Sequence, residues 1–493
     1  MGIPDLDIPY DLVVDLVLRR SFLDDTTSVS RLSDALGLPV KVIDMVFEEL
    51  RTKKYADVQG LVGNDYIFNL TAFGREQAAE RFTRSKYASV APVSLDSYTK
   101  VVTAQRPRPH VRREDVRHAF SDLVVYDELI DQIGPAFTAQ ESLFLYGPSG
   151  TGKTSIGERL IRLYHDGVLV PRAVEVDGQI ITVFDPLVHH PLDPQPHGLD
   201  PRWVACYRPI VTVGGELELD MLQLSFNDNT GIYTSPLQMR ANNGILFIDD
   251  FGRQIASPRA LLNRWIVPLD RRVDYLTLEY GQKFVIPFEL MVVFSTNLDP
   301  ADLQEDAFFR RIQNKIYVGP VSDDQFDWIV TRVAQRYEVP TSPGAAAHLR
   351  QVCRLKGSGQ LLACYPNDFF RIAKAICHYA DRDVVLDEDI IDQAAKLYFA
   401  TSGMQGGFFR RSTDPKPGEQ TNPSPDGQAA DQPQAPTTGA APTPGPGNGQ
   451  GPGPFGRRAN DRRAGLTGAD PAPPTAPAPA GSAWGSGRLD HAL

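Results

Sequence analysis

The stretch that most constrains this chain is Gly147-Pro148-Ser149-Gly150-Thr151-Gly152-Lys153-Thr154. It follows the apolar run Leu143 to Tyr146 and leads into a helix-like segment, Ser155 to Leu163. The order strand, glycine loop, helix directs the loop's backbone N–H groups and the helix N-terminus at one point, which suits an anionic phosphate. Glycines let the backbone bend close around such a group. Lys153 then supplies a point charge to β- and γ-phosphates, and the Thr154 hydroxyl is one ligand for Mg²⁺.

At 493 residues the chain exceeds what one core can fill, so at roughly 100 to 200 residues per domain it should form two to four units. A formal net charge of -11 argues against broad nonspecific nucleic-acid binding and favours proteins or nucleotides as partners. The four cysteines lie far apart without a CxxC pair, as free thiols in a reducing compartment do. The acidic start and the lack of a run of ~18 apolar residues predict a cytoplasmic chain with no transmembrane segment.

Residues 8–87 read as a compact domain. Helices are predicted at Asp11 to Arg20, Val29 to Leu36 and Val40 to Arg51, then a hairpin within Lys54 to Leu70 and a capped helix from Thr71 to Phe82. Three helices and a hairpin resemble a winged helix, a fold used on DNA and on proteins alike. Asp44, Glu48 and Glu49 on its second turn helix, and a wing without basic residues, favour protein docking. Residues 88–118 are polar and carry Arg106, Arg108, Arg112 and Arg113, which reads as a linker.

A continuous apolar run, Gly244 to Ile248, fits a parallel strand buried on both faces and ends in Asp249-Asp250. Asp249 is the second candidate Mg²⁺ partner. Another apolar strand, Leu290 to Thr296, ends at Asn297, where an amide can orient a water against a γ-phosphate. The interval between Lys153 and Asp249 exceeds one crossover helix and one strand, so something is inserted. Val174 to Val188 and Val211 to Leu219 both read as hairpins, the better candidates for substrate contact. His189, His190 and His197 lie between them without a carboxylate or cysteine pattern to complete a metal site, and read as an exposed loop.

Together, the Gly147 to Thr154 loop, Asp249-Asp250, Asn297, the Arg310-Arg311 pair and a later helical stretch resemble the AAA+ ATPase family over roughly residues 119–400. The resemblance implies an α/β fold: a P-loop core with a parallel sheet and β-hairpin insertions at 119–320, and a four-helix lid at 321–402. Lid helices are predicted at Ser322 to Tyr337, Pro343 to Leu355, Pro366 to Tyr379 and Asp387 to Phe399. It further implies ATP and Mg²⁺ as cofactors, adenine held by Leu123 to Val125, and assembly into a ring, most simply a hexamer. Asp249 takes the Walker B position, Asn297 sensor 1 and Arg371 sensor 2. Arg310 or Arg311 takes the position of the arginine finger. The family's Walker B strand usually ends Asp-Glu; here Asp250 is one methylene short, which bears on whether it activates water. The whole chain also resembles bacterial chaperone-like ATPases linked to pilus assembly. Residues 403–493, rich in Pro, Gly and Ala, are predicted to be a disordered tail.

The expectation is thus an ATPase that remodels or assembles an unknown protein client. A DNA-directed ATPase reading duplex through the winged helix, and a nucleotide-gated scaffold that hydrolyses slowly, are the alternatives.

Overall fold

The computed structural model describes residues 6–300, 310–357 and 359–399. The expected tail and the start of the arginine-finger segment, Asp306 to Phe309, lie outside them. The N-terminal domain opens with α1 (Tyr10–Asp24), whose Leu12, Val13, Leu16 and Val17 are buried, then β1 (Thr26–Ser28). The helix α2 (Val29–Leu36) is capped by Ser28, and α3 (Val40–Thr52) follows. Strands β2 (Ala56–Val62) and β3 (Asp65–Leu70) form the hairpin, and α4 (Ala72–Arg84) starts where the Thr71 hydroxyl accepts the Gly74 N–H. The sheet order is β1-β3-β2, antiparallel.

The stretch expected as a linker is mostly helical. It holds β4 (Val93–Ser94), α5 (Leu95–Ala104) and α6 (Arg113–Ala119), with Tyr98, Val102 and Val116 buried. Each helix buries only a few spaced apolar side chains and leaves the rest of its surface exposed or half-buried, and the stretch is too sparse in them for periodicity to show. Two of its arginines are paired: Arg113 with Asp131 at 2.6 Å, and Arg106 with Glu289 at 3.3 Å.

The core begins with α7 (Asp127–Ala139), β5 (Leu143–Tyr146), α8 (Lys153–Arg159) and a 3-10 turn, Leu160–Leu163. Next come β6 (Gly167–Pro171), β7 (Ala173–Val176), β8 (Gln179–Thr182), β9 (Trp203–Tyr207) and β10 (Ile210–Val213). They are followed by β11 (Ser225–Asn227), β12 (Ile232–Thr234) and α9 (Leu237–Arg240). The chain continues through β13 (Ile245–Ile248), α10 (Pro258–Arg271), β14 (Val273–Thr277), β15 (Lys283–Pro287), β16 (Met291–Thr296) and β17 (Asn314–Tyr317).

Five of these strands form one parallel sheet, β10-β13-β16-β5-β17. Alternate residues feed opposite faces: Leu143, Leu145, Ile245, Phe247 and Val293 pack under α6 to α8, and Phe144, Leu246, Ile248 and Phe294 pack against Leu261 and Trp265 of α10. Both faces are covered, as the continuous apolar runs required.

Between α8 and β13 the insertion builds, together with β4 from the N-terminal side, a second, mixed sheet, β11-β12-β8-β7-β4. The hairpin read within Val174 to Val188 is present as β7 and β8. The one read at Val211 to Leu219 is not: β10 is an edge strand of the core sheet, paired in parallel with β13, and Gly214-Gly215 leaves it for a loop. Both patterns alternate, so local periodicity does not separate a hairpin from an edge strand. A hairpin the sequence reading passed over, β14 with β15, precedes β16. Its Leu276, Phe284 and Ile286 are buried with Tyr98 and Val102 of α5.

The N-terminal domain is built onto this insertion. Ala173 and Ile180 belong to its apolar core, Lys86 N donates to Thr230 O at 2.8 Å, and Asp7 pairs with Arg202. The lid follows: α11 (Asp323–Tyr337), α12 (Ala345–Lys356), α13 (Cys364–Tyr379) and α14 (Glu388–Tyr398). Ser322 and Gln325 form a capping box and Asp387 caps Ile390, which fixes two of the starts. No helix among the described residues is long and apolar enough to cross a membrane.

Candidate functional site

The parallel order of β13, β16 and β5 brings the ends of three strands to one edge, and each strand delivers its polar residues there. The loop after β5 turns through Gly147 at φ 140°, Gly150 at φ 81° and Gly152 at φ 96°. A side chain at Gly147 would put its Cβ 2.3 Å from Val318 O, and one at Gly150 2.6 Å from Cys364 Sγ. Both positions need glycine on conformation and on space. Pro148 and Thr151 hold the loop's arch, the Thr151 hydroxyl donating to Pro148 O at 3.0 Å, and Ser149 is exposed at its tip.

Lys153 opens α8 and is 6% exposed. Its Nζ donates to Gly147 O at 2.9 Å, Pro148 O at 2.8 Å and Asn297 Oδ1 at 2.7 Å. Burial lowers its pKa from the ordinary lysine value, while Asp250 and Asp249 oppose that shift. The Thr154 hydroxyl donates to Asp249 Oδ2 at 2.8 Å. Asn297 Nδ2 stands 3.5 Å from Asp250 Oδ1. Five residues expected from three separate motifs are therefore one cluster.

The donor set of Thr154 Oγ1 and the Asp249 carboxylate is all hard oxygen, which suits Mg²⁺, an ion that keeps waters and takes few protein ligands. Among the described residues there is no group of three or more His, Cys, Asp or Glu able to cage a metal on its own. His189 is buried rather than exposed as expected. Its Nδ1 accepts from Asp185 N at 2.9 Å, which leaves Nε2 to donate to Arg240 O at 2.9 Å, so neither ring nitrogen is open to a metal.

The other expected residues sit further out. Arg311 pairs with Asp270 at 2.7 Å, and Arg310 is exposed. Arg371 is exposed on α13 and makes no hydrogen bond to the glycine loop among the described residues. The lid contact with the loop is made instead at the start of α13, where Cys364 N donates to Gly150 O at 3.0 Å. Leu123, Val124 and Val125 line a cavity of about 290 Å³ whose other wall is α11, with Gln325, Trp328 and Arg332. Sequence reasoning also passed over Gln254, a buried side chain whose Nε2 donates to the carbonyls of Asp249 at 3.0 Å and Asp250 at 3.2 Å. Nothing in its local pattern marks it.

Fold and site together define a P-loop protein with an AAA+-like α/β core and a helical lid. A family model for a domain of unknown function, DUF8689, matches residues 322–397, which span the lid. No curated protein matches the chain. Among solved structures it is similar to NtrX from Brucella abortus in complex with ATP, at 14% identity, 55% of each chain covered and a TM-score of 0.35. It is also similar to the RuvB Holliday junction branch migration motor of Thermotoga maritima, at 15% identity, with 59% of this chain and 72% of that one covered and a TM-score of 0.32. The chain spans about half the length of NtrX.

Proposed function

We propose that this chain is a Mg²⁺-dependent ATPase of the AAA+ kind that works as an oligomeric ring, most simply a hexamer, to remodel or assemble a protein client. The observation that carries the reading is the convergence of Lys153, Thr154, Asp249, Asp250 and Asn297 at one sheet edge. Bound phosphate replaces the Gly147 and Pro148 carbonyls as the partner of Lys153 Nζ. Thr154 and Asp249 are the residues to hold Mg²⁺, which when bound neutralises charge on β- and γ-oxygens.

Asn297 orients a water against the γ-phosphorus. Water oxygen bonds to that phosphorus as the β–γ bridging P–O bond breaks, ADP leaves with the electron pair, and Asp250 takes the water's proton directly or through a second water. Leu123 to Val125 and α11 enclose the base, and lid angle follows the nucleotide through Cys364 on Gly150 and through Arg371. An arginine from the neighbouring subunit completes the site; in related NTPases such a finger contributes ~10³ to 10⁵ in rate.

The client docks on the N-terminal domain. Arg51 at the end of α3 and Lys53 just after it are already paired with Glu48 and Glu49, and the linker arginines Arg106 and Arg113 are paired too, which supports a protein partner over duplex DNA. ATP turnover measured against protein concentration tests the reading: it should rise cooperatively and vanish in Lys153→Ala. Turnover at background at every concentration, with ATP bound, would make the chain a nucleotide-gated scaffold. A salt-dependent shift of labelled duplex by the full chain would favour the DNA reading. The full chain is required because Ala173 and Ile180 complete the N-terminal core.

A further inference from the structure

The segment after β13 does more than end a strand. Asp250 adopts φ 48°, a left-handed conformation uncommon outside glycine, though Asp is among the residues that enter it most readily. The chain then folds back so that Phe251, 1% exposed, donates its N–H to Ser295 O at 2.7 Å and accepts the Thr296 hydroxyl at 2.5 Å, both on β16. Gly252 follows at φ 104°. Gln254 lies under this turn, 8% exposed. Its Oε1 accepts Gly252 N at 2.7 Å, and its amide group spans the carbonyls of Asp249 and Asp250. Every polar atom of the Gln254 side chain is thus spent on the backbone that carries the two carboxylates.

An aspartate is shorter than a glutamate by one C–C bond, about 1.5 Å. At the end of an extended strand that deficit withdraws the carboxylate from the phosphate side. Here the backbone leaves the extended conformation at Asp250, and the carboxylate stands 3.5 Å from Asn297 Nδ2. We propose that Gln254 is a positioning residue: by clamping the Asp249–Gly252 turn it holds Asp250 where a longer acid would otherwise be needed. This rests on the ATP-hydrolysis reading above. The chain therefore carries Asp250 and Gln254 as a matched pair, and each should tolerate change only with the other.

The test is a double-mutant cycle on the full-length chain, reading kcat, KM, binding of a fluorescent ATP analogue and melting temperature. Gln254→Met keeps the volume and loses all three hydrogen bonds. It should lower kcat about 10- to 100-fold, the usual cost of removing a group that orients a ligand or reacting group. KM and analogue binding should stay within about threefold. In an Asp250→Ala background the same change should cost nothing further in kcat, because its effect passes through Asp250. Asp250→Glu should slow the wild type and accelerate Gln254→Met, since the longer acid needs no clamped turn.

A loss that is the same whatever stands at 250, a loss confined to KM, or kcat within threefold of wild type would each overturn the proposal. Should Gln254→Met fail to fold, Gln254→Glu, which keeps the Gly252 acceptor and loses both donors, gives the same ordering. If the wild type binds the analogue but releases no phosphate at any concentration, the ATPase reading fails and the proposal with it. If the wild type turns over and the cycle is flat, the proposal alone fails.

Discussion

Lys153 Nζ lies 2.7 Å from Asn297 Oδ1, which joins the helix after the glycine loop to the residue that follows β16 across 144 positions of sequence. On the ATPase proposal, this hydrogen bond couples the residue that holds the phosphate to the one that orients the water. Lys153→Ala should lose both ATP affinity and turnover. Asn297→Ala should keep affinity within about threefold and lose ~10² in turnover, the scale of one preorganised donor. Phosphate release beside fluorescent-nucleotide binding separates the two.

Gly150 meets the lid at Cys364, with no room for a Cβ and φ at 81°. Gly150→Val should strain the loop by about 1–3 kcal/mol and push α13 away. We expect nucleotide affinity to fall at least tenfold, with a lower melting temperature, by calorimetry in the presence and absence of ATP.

Arg311 is held by Asp270 at 2.7 Å while Arg310 is exposed, so in the proposed ring Arg310 is the better placed to act as the finger. Arg310→Ala should lower turnover by ~10³ or more. Arg311→Ala should mainly shift the melting temperature. Mixing Arg310→Ala with Lys153→Ala subunits should restore part of the activity, because each supplies what the other lacks; no restoration would count against a shared site.

His189 is 1% exposed, and burial lowers its pKa below the ordinary 6.5. The unfolded chain therefore takes up a proton at His189 before the folded one does. Stability should be constant above pH 6.5 on this account and fall as pH drops from 6.5 toward the depressed folded value, by at most about 1.4 kcal/mol per pH unit. Melting temperature followed from pH 7.5 to 5 should show this slope, and His189→Gln should flatten it.

The local chemistry of the sequence determined a good deal. β5 begins and ends at Leu143 and Tyr146 as read, α2 spans Val29–Leu36 as read, and the four lid helices stand within a few residues of their expected bounds. These elements carry their signal within a window: an apolar period, a capping Ser322 or Asp387, a glycine loop before a helix. Lys153, Thr154, Asp249 and Asn297 were legible for the same reason, each at a strand end or helix start.

What only the tertiary structure decided depends on partners far away in sequence. Tyr98 makes a helix of an apparent linker because its ring is buried and its hydroxyl accepts from Asn242 Nδ2 at 2.8 Å. Val211 joins the core sheet, rather than a hairpin, because β13 offers it a parallel partner at Leu246. His189, though not His190, is part of the core because the Arg240 carbonyl stands opposite its ring. Gln254 acquires a role only once the turn at Asp250 folds back over it. A period of 2 or 3.6 says which face of an element is apolar, but the identity of the surface that covers that face is settled by packing, and it is packing that assigned these residues.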